Sequence, residues 1–416
     1  LLERLGFRCL LLPRELVGVV AAIGTPEPGV ELRQAHALPD PEPVLAGELL
    51  DSLRWLARYT HAAPGEVFAT ALPASLRAGE PLPDTHAWAW QATEAGASGR
   101  TGLRKGSRPR RLAELLAAGP VDEDRLEQEL EGWRAAARAL AGRGHAERVA
   151  VPASTLAPAP QPGPLPNDEQ RAAIDAIAAN TGFTPFLLEG VTGSGKTEVY
   201  LQAIADCLAR GRQALVLVPE IGLTPQTLAR FRARLGVPVH ALHSGLADGE
   251  RARVWAAAWR GEARVVVGTR SAVFLPLPDA GLIVVHQEPD ASYKQQDGIR
   301  YHARDFALVR ARALGVPVLL GSATPSLETL HNARAGRYIH LRLRRRAGEA
   351  RPPAVRIVDV RKRPLQAGLA PETLHMIEAA LHDGGQVLVF KNRRGYAPVL
   401  LCHDCGWSAQ CPRCST

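Results

Sequence analysis

The chain has 416 residues, 46% of them hydrophobic and 22% charged, and a formal net charge of +8. That length and balance predict about two to four globular domains and exclude a mainly disordered, collagen-like or fibrous chain. The charge suits a polyanionic partner, but only five basic residues are lysines (Lys105, Lys196, Lys294, Lys362 and Lys391) and the rest are arginines. A GC-rich coding sequence gives the same bias, so charge alone names no partner. No run of about 18 apolar residues occurs, which argues against a transmembrane helix. The apolar residues 10–12 are broken by Pro13, Arg14 and Glu15, so they do not read as a signal peptide.

In chain order, residues 15–23 read as a strand and residues 49–59 as a helix. Residues 79–150 are more charged, with helical patterns at 111–118 and 123–141. A basic run (Arg104, Lys105, Arg108, Arg110 and Arg111) leads into the first of these and fits a solvated face or a phosphate contact. Six prolines in residues 152–166 make a semi-rigid linker and a domain boundary. Beyond Asn167, short apolar strands at 186–189, 215–219, 264–268, 282–285 and 316–320 alternate with helical stretches. This alternation predicts βαβ units and a mostly parallel sheet. A similar unit begins at 386–390. Cys9 and Cys207 lie among apolar or helical residues and read as small buried hydrophobes.

The segment Gly190-Val-Thr-Gly-Ser-Gly-Lys-Thr197 fits GxxxxGK[ST], between a strand and a helix start. In that context backbone N–H groups of Gly190, Thr192, Gly193, Ser194 and Gly195 surround phosphates. Lys196 reaches the β- and γ-phosphates, and the Thr197 hydroxyl binds Mg²⁺. Three more loops follow strands: 217–224 (LVPEIGLT), 267–271 (VGTRS) and 321–325 (GSATP). Small hydroxylated loops at strand ends suit contacts to a nucleic-acid phosphate chain. The spacing Cys402-x2-Cys405-x5-Cys411-x2-Cys414 reads as metal-binding, either one four-thiolate zinc site or two half-sites. His240, His243 and His302 show no ligand spacing. Arg342, Arg344, Arg345 and Arg346 fit a phosphate contact or a solvated linker equally.

These motifs, with LVGVV, GEVFATALP, NDEQ, HSGL, SYKQQDGIRYHARD, NRRGYAP and CHDCGWSAQCPRC, closely resemble the PriA family of replication-restart (primosomal protein N′) helicases of superfamily 2. The resemblance covers essentially the whole chain. It implies a multidomain α/β protein: a β-rich DNA-binding domain at 1–78 (its first residues missing), a winged-helix domain at 79–151, and the linker at 152–166. A RecA-like ATP-binding lobe would follow at 167–340, and the start of a second lobe with a partial zinc-binding region at 341–416. It further implies ATP, Mg²⁺ and two Zn²⁺ as cofactors and 3′-to-5′ unwinding of forked DNA in the cytoplasm. Partners would be forked or single-stranded DNA, other primosome proteins and single-stranded DNA-binding protein, with no membrane. Gln170 would contact the nucleotide. Thr269, Arg270, Ser271, Ser322 and Thr324 would touch DNA or couple it to ATP. So would the loop carrying Tyr293, Lys294, Arg300 and Tyr301, its tyrosines stacking on bases, although the residues by themselves favour a surface loop with both tyrosines anchored in the lobe. Cys402, Cys405, Cys411 and Cys414 would serve two different zinc ions.

Two departures stand out. The family's Asp-Glu-Glu-His is here His286-Gln287-Glu288-Pro289. Histidine is a poor partner for Mg²⁺, a hard cation that prefers oxygen, and glutamine cannot take a proton. Glu288 is then the one carboxylate left to assign a catalytic role, with Asp290 or Asp297 as the nearest substitutes. The family's second-lobe arginines are expected beyond Thr416, and Arg393 and Arg394 are not those residues. Two functions follow: an ATP-dependent DNA helicase, or a hydrolysis-impaired scaffold that binds forks. An acid at position 286 would favour the first; His favours the second.

Overall fold

The computed structural model describes residues 8–11, 16–20, 35–98, 102–151, 160–347, 354–361, 363–390, 405 and 407. The chain forms two compact units, residues 1–350 and 351–416.

The first unit opens with β1 (Arg8–Leu11), β2 (Leu16–Val19) and β3 (Ala35–Ala37), an antiparallel sheet with β1 in the middle. Three helices follow: α1 (Gly47–Thr60), α2 (Pro64–Ala71) and α3 (Ala74–Arg77). Leu49, Leu50, Leu53, Leu56 and Ala57 recur at helical spacing and bury one face of α1, which ends where His61 turns left-handed at φ 54°. Proline at the first position starts α2, where its missing N–H removes no helical bond.

Next come β4 (Ala87–Ala92), α4 (Glu94–Ser98), α5 (Arg108–Leu115), β5 (Val121–Asp122), α6 (Glu123–Glu129), α7 (Trp133–Ala141) and β6 (Ala146–Val151). The sheet is antiparallel with β4 central, and Leu112, Leu116, Leu126, Leu130, Trp133 and Leu140 fill its own small core. The single helix expected over 123–141 is instead two helices. Leu130 is extended and Gly132 takes φ 74°, a conformation open to glycine at little cost, so the axis changes while Leu130 and Trp133 both stay in the core.

The largest part runs α8 (Asp168–Ala178), β7 (Pro185–Gly190), α9 (Lys196–Ala209), β8 (Gln213–Leu217), α10 (Pro225–Leu235), β9 (Val239–Leu242), α11 (Asp248–Trp259) and β10 (Val265–Gly268). It continues with β11 (Ala280–His286), α12 (Ala303–Leu314), β12 (Val318–Ser322), α13 (Leu327–Arg334) and β13 (Ile339–Leu343). The seven strands lie in the order β13-β7-β12-β11-β8-β10-β9, every pairing parallel. All five expected strands of this region are present. The two the sequence reading missed, β9 and β13, are the sheet's edges. Interior parallel strands are apolar on both faces and read as runs, whereas VHAL and IHLRL are short, interrupted by polar residues and only partly buried. Because β7, β12 and β11 are neighbours, the loops after them emerge side by side at the carboxyl end of the sheet, where such sheets bind ligands.

The helices of residues 47–77 share one hydrophobic core with β8, β10, β11 and α12. Trp255 Nε1 donates to the Ala71 carbonyl at 3.0 Å and Trp259 Nε1 to that of Pro43 at 3.2 Å. Arg310, fully buried, binds both oxygens of Glu48 at 2.7–3.3 Å.

In the second unit, α14 (Pro371–His382) is the one helix among the described residues. The strand expected at 386–390 is absent: these residues carry no regular structure, and Leu388 and Phe390 are exposed. A parallel strand needs a neighbour for its hydrogen bonds, and none lies among the described residues of this unit.

Candidate nucleotide and nucleic-acid site

The loop between β7 and α9 is built by its glycines. Gly193 and Gly195 take φ 79° and 82°, and a Cβ on Gly195 would lie 2.2 Å from Gln170 Nε2. Gln170 is buried and donates to the Ser194 carbonyl at 2.9 Å, while its Oε1 accepts from the Asn167 N–H that starts α8. It therefore ties the phosphate loop to α8. Lys196 Nζ folds back onto the carbonyls of Gly190 (2.6 Å) and Val191 (3.3 Å). Burial pulls its ammonium below the usual lysine value. Ser194 Oγ is buried without a hydrogen-bond partner. An open pocket of about 340 Å³ sits on this loop, lined by Thr192, Gly193, Gly195, Lys196, Thr197, Arg230, His286 and Gln287. Backbone donors, a lysine and an arginine around one cavity fit a polyphosphate.

The structure thus brings the substituted motif to the phosphate loop. His286 ends β11, with its ring edge-on to Tyr200 at 5.6 Å between centroids. Its carbonyl accepts from Tyr293 Oη at 2.6 Å. Burial, reinforced by the Lys196 ammonium, pushes the imidazole down to about 4, so at neutral pH it is uncharged. Gln287 stands at φ 52°, unusual for a residue with a side chain. No carboxylate lines the pocket. The residues present fit phosphates, and Thr197 offers one hydroxyl to Mg²⁺; the lining holds no carboxylate to anchor that ion's water shell or to act as a base for water. One consequence is measurable. The unfolded chain protonates His286 near 6.5 and the folded chain near 4, so stability falls as pH drops through that interval. Imidazole resonances should show a midpoint near 4 for His286; a midpoint above 6 would contradict the buried placement.

Glu288 is not at the phosphates, which corrects the catalytic role expected for it. It is fully buried and accepts from Ser326 N (2.6 Å), Ser326 Oγ (3.1 Å), Thr329 Oγ1 (3.0 Å) and Arg304 Nη1 (2.9 Å). A fully buried carboxylate that accepts four hydrogen bonds, one on Oε1 and three on Oε2, pins α13 and α12 to the sheet and does not line the phosphate pocket. The substitutes fare no better. Asp290 caps the turn at Ser292 (2.8 Å), and Asp297 lines a different cleft. Glu198, next to Thr197, is buried against Arg234, with Arg230 at 3.9 Å.

That second cleft, of about 310 Å³, is lined by Thr70, Glu220, Ser244, Arg251, Thr269, Arg270, Ser271, Gln295, Asp297, Gly298, Ile299 and Tyr301. It gathers three of the expected DNA-contact residues, Thr269, Arg270 and Ser271, with hydroxyls and a further arginine. Arg270 donates to the carbonyls of Ser292 (2.8 Å) and Lys294 (3.1 Å), so the cleft is fastened to the residues flanking Tyr293. Base stacking by Tyr293 and Tyr301 is overturned. They are 0% and 3% exposed, with burial pushing Tyr301 up to about 12. Their rings are anchors: Phe274 packs edge-on to Tyr301 at 4.8 Å. Lys294 Nζ closes the loop onto the Arg300 carbonyl at 2.7 Å, and Arg300 is exposed. Ser322 and Thr324 lie outside the cleft: Ser322 is buried, bonded to the Thr324 N–H at 3.0 Å, and 3.4 Å from Gln287 Oε1.

The arginines after β13 lie beside the phosphate loop rather than in solvent alone. Val191 N–H donates to the Leu343 carbonyl (3.2 Å) and Ala347 N–H to that of Gly193 (2.8 Å). Glu169 accepts from the N–H groups of Arg344 and Arg345. Cys207 is buried as expected, its thiol pushed up to about 11. Cys402, Cys411 and Cys414 lie outside the described residues, Cys405 is exposed, and no group of three metal-ligating side chains occurs among the described residues. Arg230 and Arg304 were missed in the sequence because an isolated arginine on a helix carries no pattern.

Residues 167–333 match the DEAD/DEAH box helicase family, and residues 9–73 match the 3′ DNA-binding domain (3′BD) of PriA. The replication restart protein PriA of Haemophilus influenzae is 43% identical over 375 residues, covering 88% of this chain and 51% of that protein. The chain belongs to the PriA family. The PriA of Bacillus subtilis is 45% identical over 259 residues, covering 60% of this chain and 32% of that one. The chain thus spans about half the length of the first relative and about a third of the second. The solved structure of RecG bound to a three-way DNA junction aligns with 54% of this chain and 29% of its own at a TM-score of 0.38 and 21% identity, too low to carry an argument. Within this PriA-family chain, both pockets lie in or border the helicase match. Thr70 brings the end of the 3′ DNA-binding match to the rim of the second cleft. Among the described residues no helix is long and apolar enough to cross a membrane.

Proposed function

We propose that this chain is the nucleotide- and DNA-binding part of a replication-restart helicase of the PriA type, holding ATP on its phosphate loop but hydrolysing it slowly. The observation that carries this is the pocket wall at the end of β11, where His286 and Gln287 stand and no carboxylate does. ATP, when bound, would place its phosphates against the backbone of Thr192–Gly195 with Lys196 and Thr197 at their far end. Gln170 holds that loop in shape, and its contact with the nucleotude itself belongs to the same proposal. DNA phosphates would follow the hydroxyls and arginines of the second cleft, with Arg270, Ser271 and exposed Arg300 in contact and Thr269, buried beneath them, coupling the cleft to the sheet. Ser322 and Thr324 would relay the nucleotide state.

The finer assignments are those of a PriA chain: forked DNA bearing a 3′ end as ligand, 3′-to-5′ polarity, primosome proteins and single-stranded DNA-binding protein as partners, and a cytoplasmic site of action. The domain limits at 78, 151, 166 and 340, the winged-helix character of 79–151 and a second lobe from 341 belong to this reading. Cys402, Cys405, Cys411 and Cys414 would supply thiolate pairs to two zinc ions. Fluorescence anisotropy of the full chain tests the DNA part. Forked DNA should bind with log affinity falling linearly with log salt, and Arg251→Ala should reduce that slope by about one phosphate contact. Absence of DNA binding at low salt would defeat the proposal.

A further inference from the structure

An ordinary phosphate-loop site neutralises the triphosphate with a lysine and a Mg²⁺ ion held by the loop's hydroxyl and, through water, by an acidic residue; Thr197 keeps the hydroxyl here, and the acid is what the lining lacks. Here the position facing the loop from β11 is an imidazole, and the neighbouring side chain is a carboxamide. Imidazole suits softer metals, and a carboxamide brings no charge to hold a hard cation whose water shell is reluctant to leave. Of the other acids near the loop, Glu288 is held by Arg304, Ser326 and Thr329, and Glu198 does not line the pocket: its Oε1 pairs with Arg234 while its Oε2 is buried without a hydrogen-bond partner. The positive charge is built in instead. Lys196 lies beneath the pocket, held by two carbonyls it can leave for a phosphate. Arg230 lines the pocket from α10, half-exposed and 3.9 Å from Glu198, too far for a hydrogen bond to that carboxylate. Its planar donors are available to a phosphate, for which guanidinium geometry is well matched.

We infer that this pocket binds nucleoside triphosphate as the metal-free polyanion, with Lys196 and Arg230 supplying the counter-charge that an anchored Mg²⁺ supplies elsewhere. The inference rests on the reading that the phosphate loop binds ATP, and it assigns to Arg230 a role in nucleotide binding. It also makes His286 the residue that decides whether the site responds to Mg²⁺.

Calorimetric titration of the full chain with ATP, once in Mg²⁺ and once in EDTA, tests it. The two dissociation constants should agree within about threefold, a difference smaller than half of one charge-assisted hydrogen bond. Weakening by about tenfold or more in EDTA would overturn the inference while leaving ATP binding itself intact. Failure to bind in both buffers would instead defeat the underlying phosphate-loop reading. Arg230→Gln should weaken binding about tenfold in EDTA, and an unchanged affinity there would remove Arg230 from the proposal. His286→Asp should weaken binding in EDTA, where the new carboxylate repels the phosphates, and restore tighter binding when Mg²⁺ is added. A His286→Asp chain still indifferent to Mg²⁺ would show that position 286 does not govern the metal.

Discussion

Replacing His286 by Asp together with Gln287 by Glu is expected to raise the rate of ATP hydrolysis by about 10²–10⁴-fold, the usual contribution of a positioned general base. Both positions line the pocket that holds Lys196 and Thr197, so the new carboxylates would face the phosphates without further rearrangement. Gln287→Glu is isosteric, whereas His286→Asp gives up the ring packed edge-on to Tyr200. Gln287→Glu keeps the shape of a side chain already held at φ 52°, so the backbone conformation there is not made worse. An aspartate at 286 gains the Lys196 ammonium as a neighbour in place of an imidazole that burial, reinforced by this same charge, keeps neutral. Steady-state phosphate release is the readout, and Lys196→Ala added to the double variant should cancel the gain. A double variant that binds ATP as before but releases phosphate no faster would show that the lost carboxylates are not what limits the site.

The second large effect concerns stability. Glu48→Ala is expected to cost the fold about 3–5 kcal/mol, the range for removing one member of a buried ion pair. Arg310 is fully buried and spends its donors on Glu48 and on the carbonyls of Val273 and Leu275, both at 2.7 Å. Without Glu48 the guanidinium charge stays in the core unpaired, because two carbonyls offer dipoles but no countercharge. Arg310→Met should be milder than Glu48→Ala, since it removes the charge and returns apolar volume. Urea unfolding of the variants is the measurement, and a loss below about 1 kcal/mol for Glu48→Ala would mean that the pair is solvated and contributes little. The pair also locates function. Val273 and Leu275 directly follow Arg270 and Ser271 of the second cleft, so α1, from the segment matching a 3′ DNA-binding domain, is fastened to the cleft through Arg310.

Much of this was legible in the sequence, for physical reasons that differ by element. The phosphate loop shows itself because glycine adopts at little cost the φ values of Gly193 and Gly195, and at Gly195 a Cβ would also collide with Gln170. Interior strands show themselves because both their faces are buried. Edge strands β9 and β13 do not, and neither does the break before α7, which depends on one glycine inside an otherwise helical pattern. Burial was the harder quantity. Tyr293 and Tyr301 flank a polar loop that reads either as a base-stacking platform or as a surface loop with anchored rings; the loop closes on itself through Lys294 and leaves both rings in the core, the anchored arrangement. Glu288 carries the right chemistry for catalysis in one dimension, and its distant partners Arg304, Ser326 and Thr329 become visible only when the fold brings three elements together. The loss of His286 and Gln287 as acids, by contrast, needed no structure to notice. The structure adds that no carboxylate among the described residues lining the pocket replaces them.

The central claim is occupancy without turnover, and one experiment measures both quantities on the unaltered chain. Phosphate release should be followed with ATP and forked DNA at saturating concentration, with bound ATP measured in the same sample. The account predicts a filled phosphate-loop site and a turnover about 10²-fold or more below the ~1 s⁻¹ that marks the slow end of ordinary enzymes. DNA-stimulated turnover of about 1 s⁻¹ or faster would contradict it, and would require a base for water that the pocket of His286 and Gln287 does not hold.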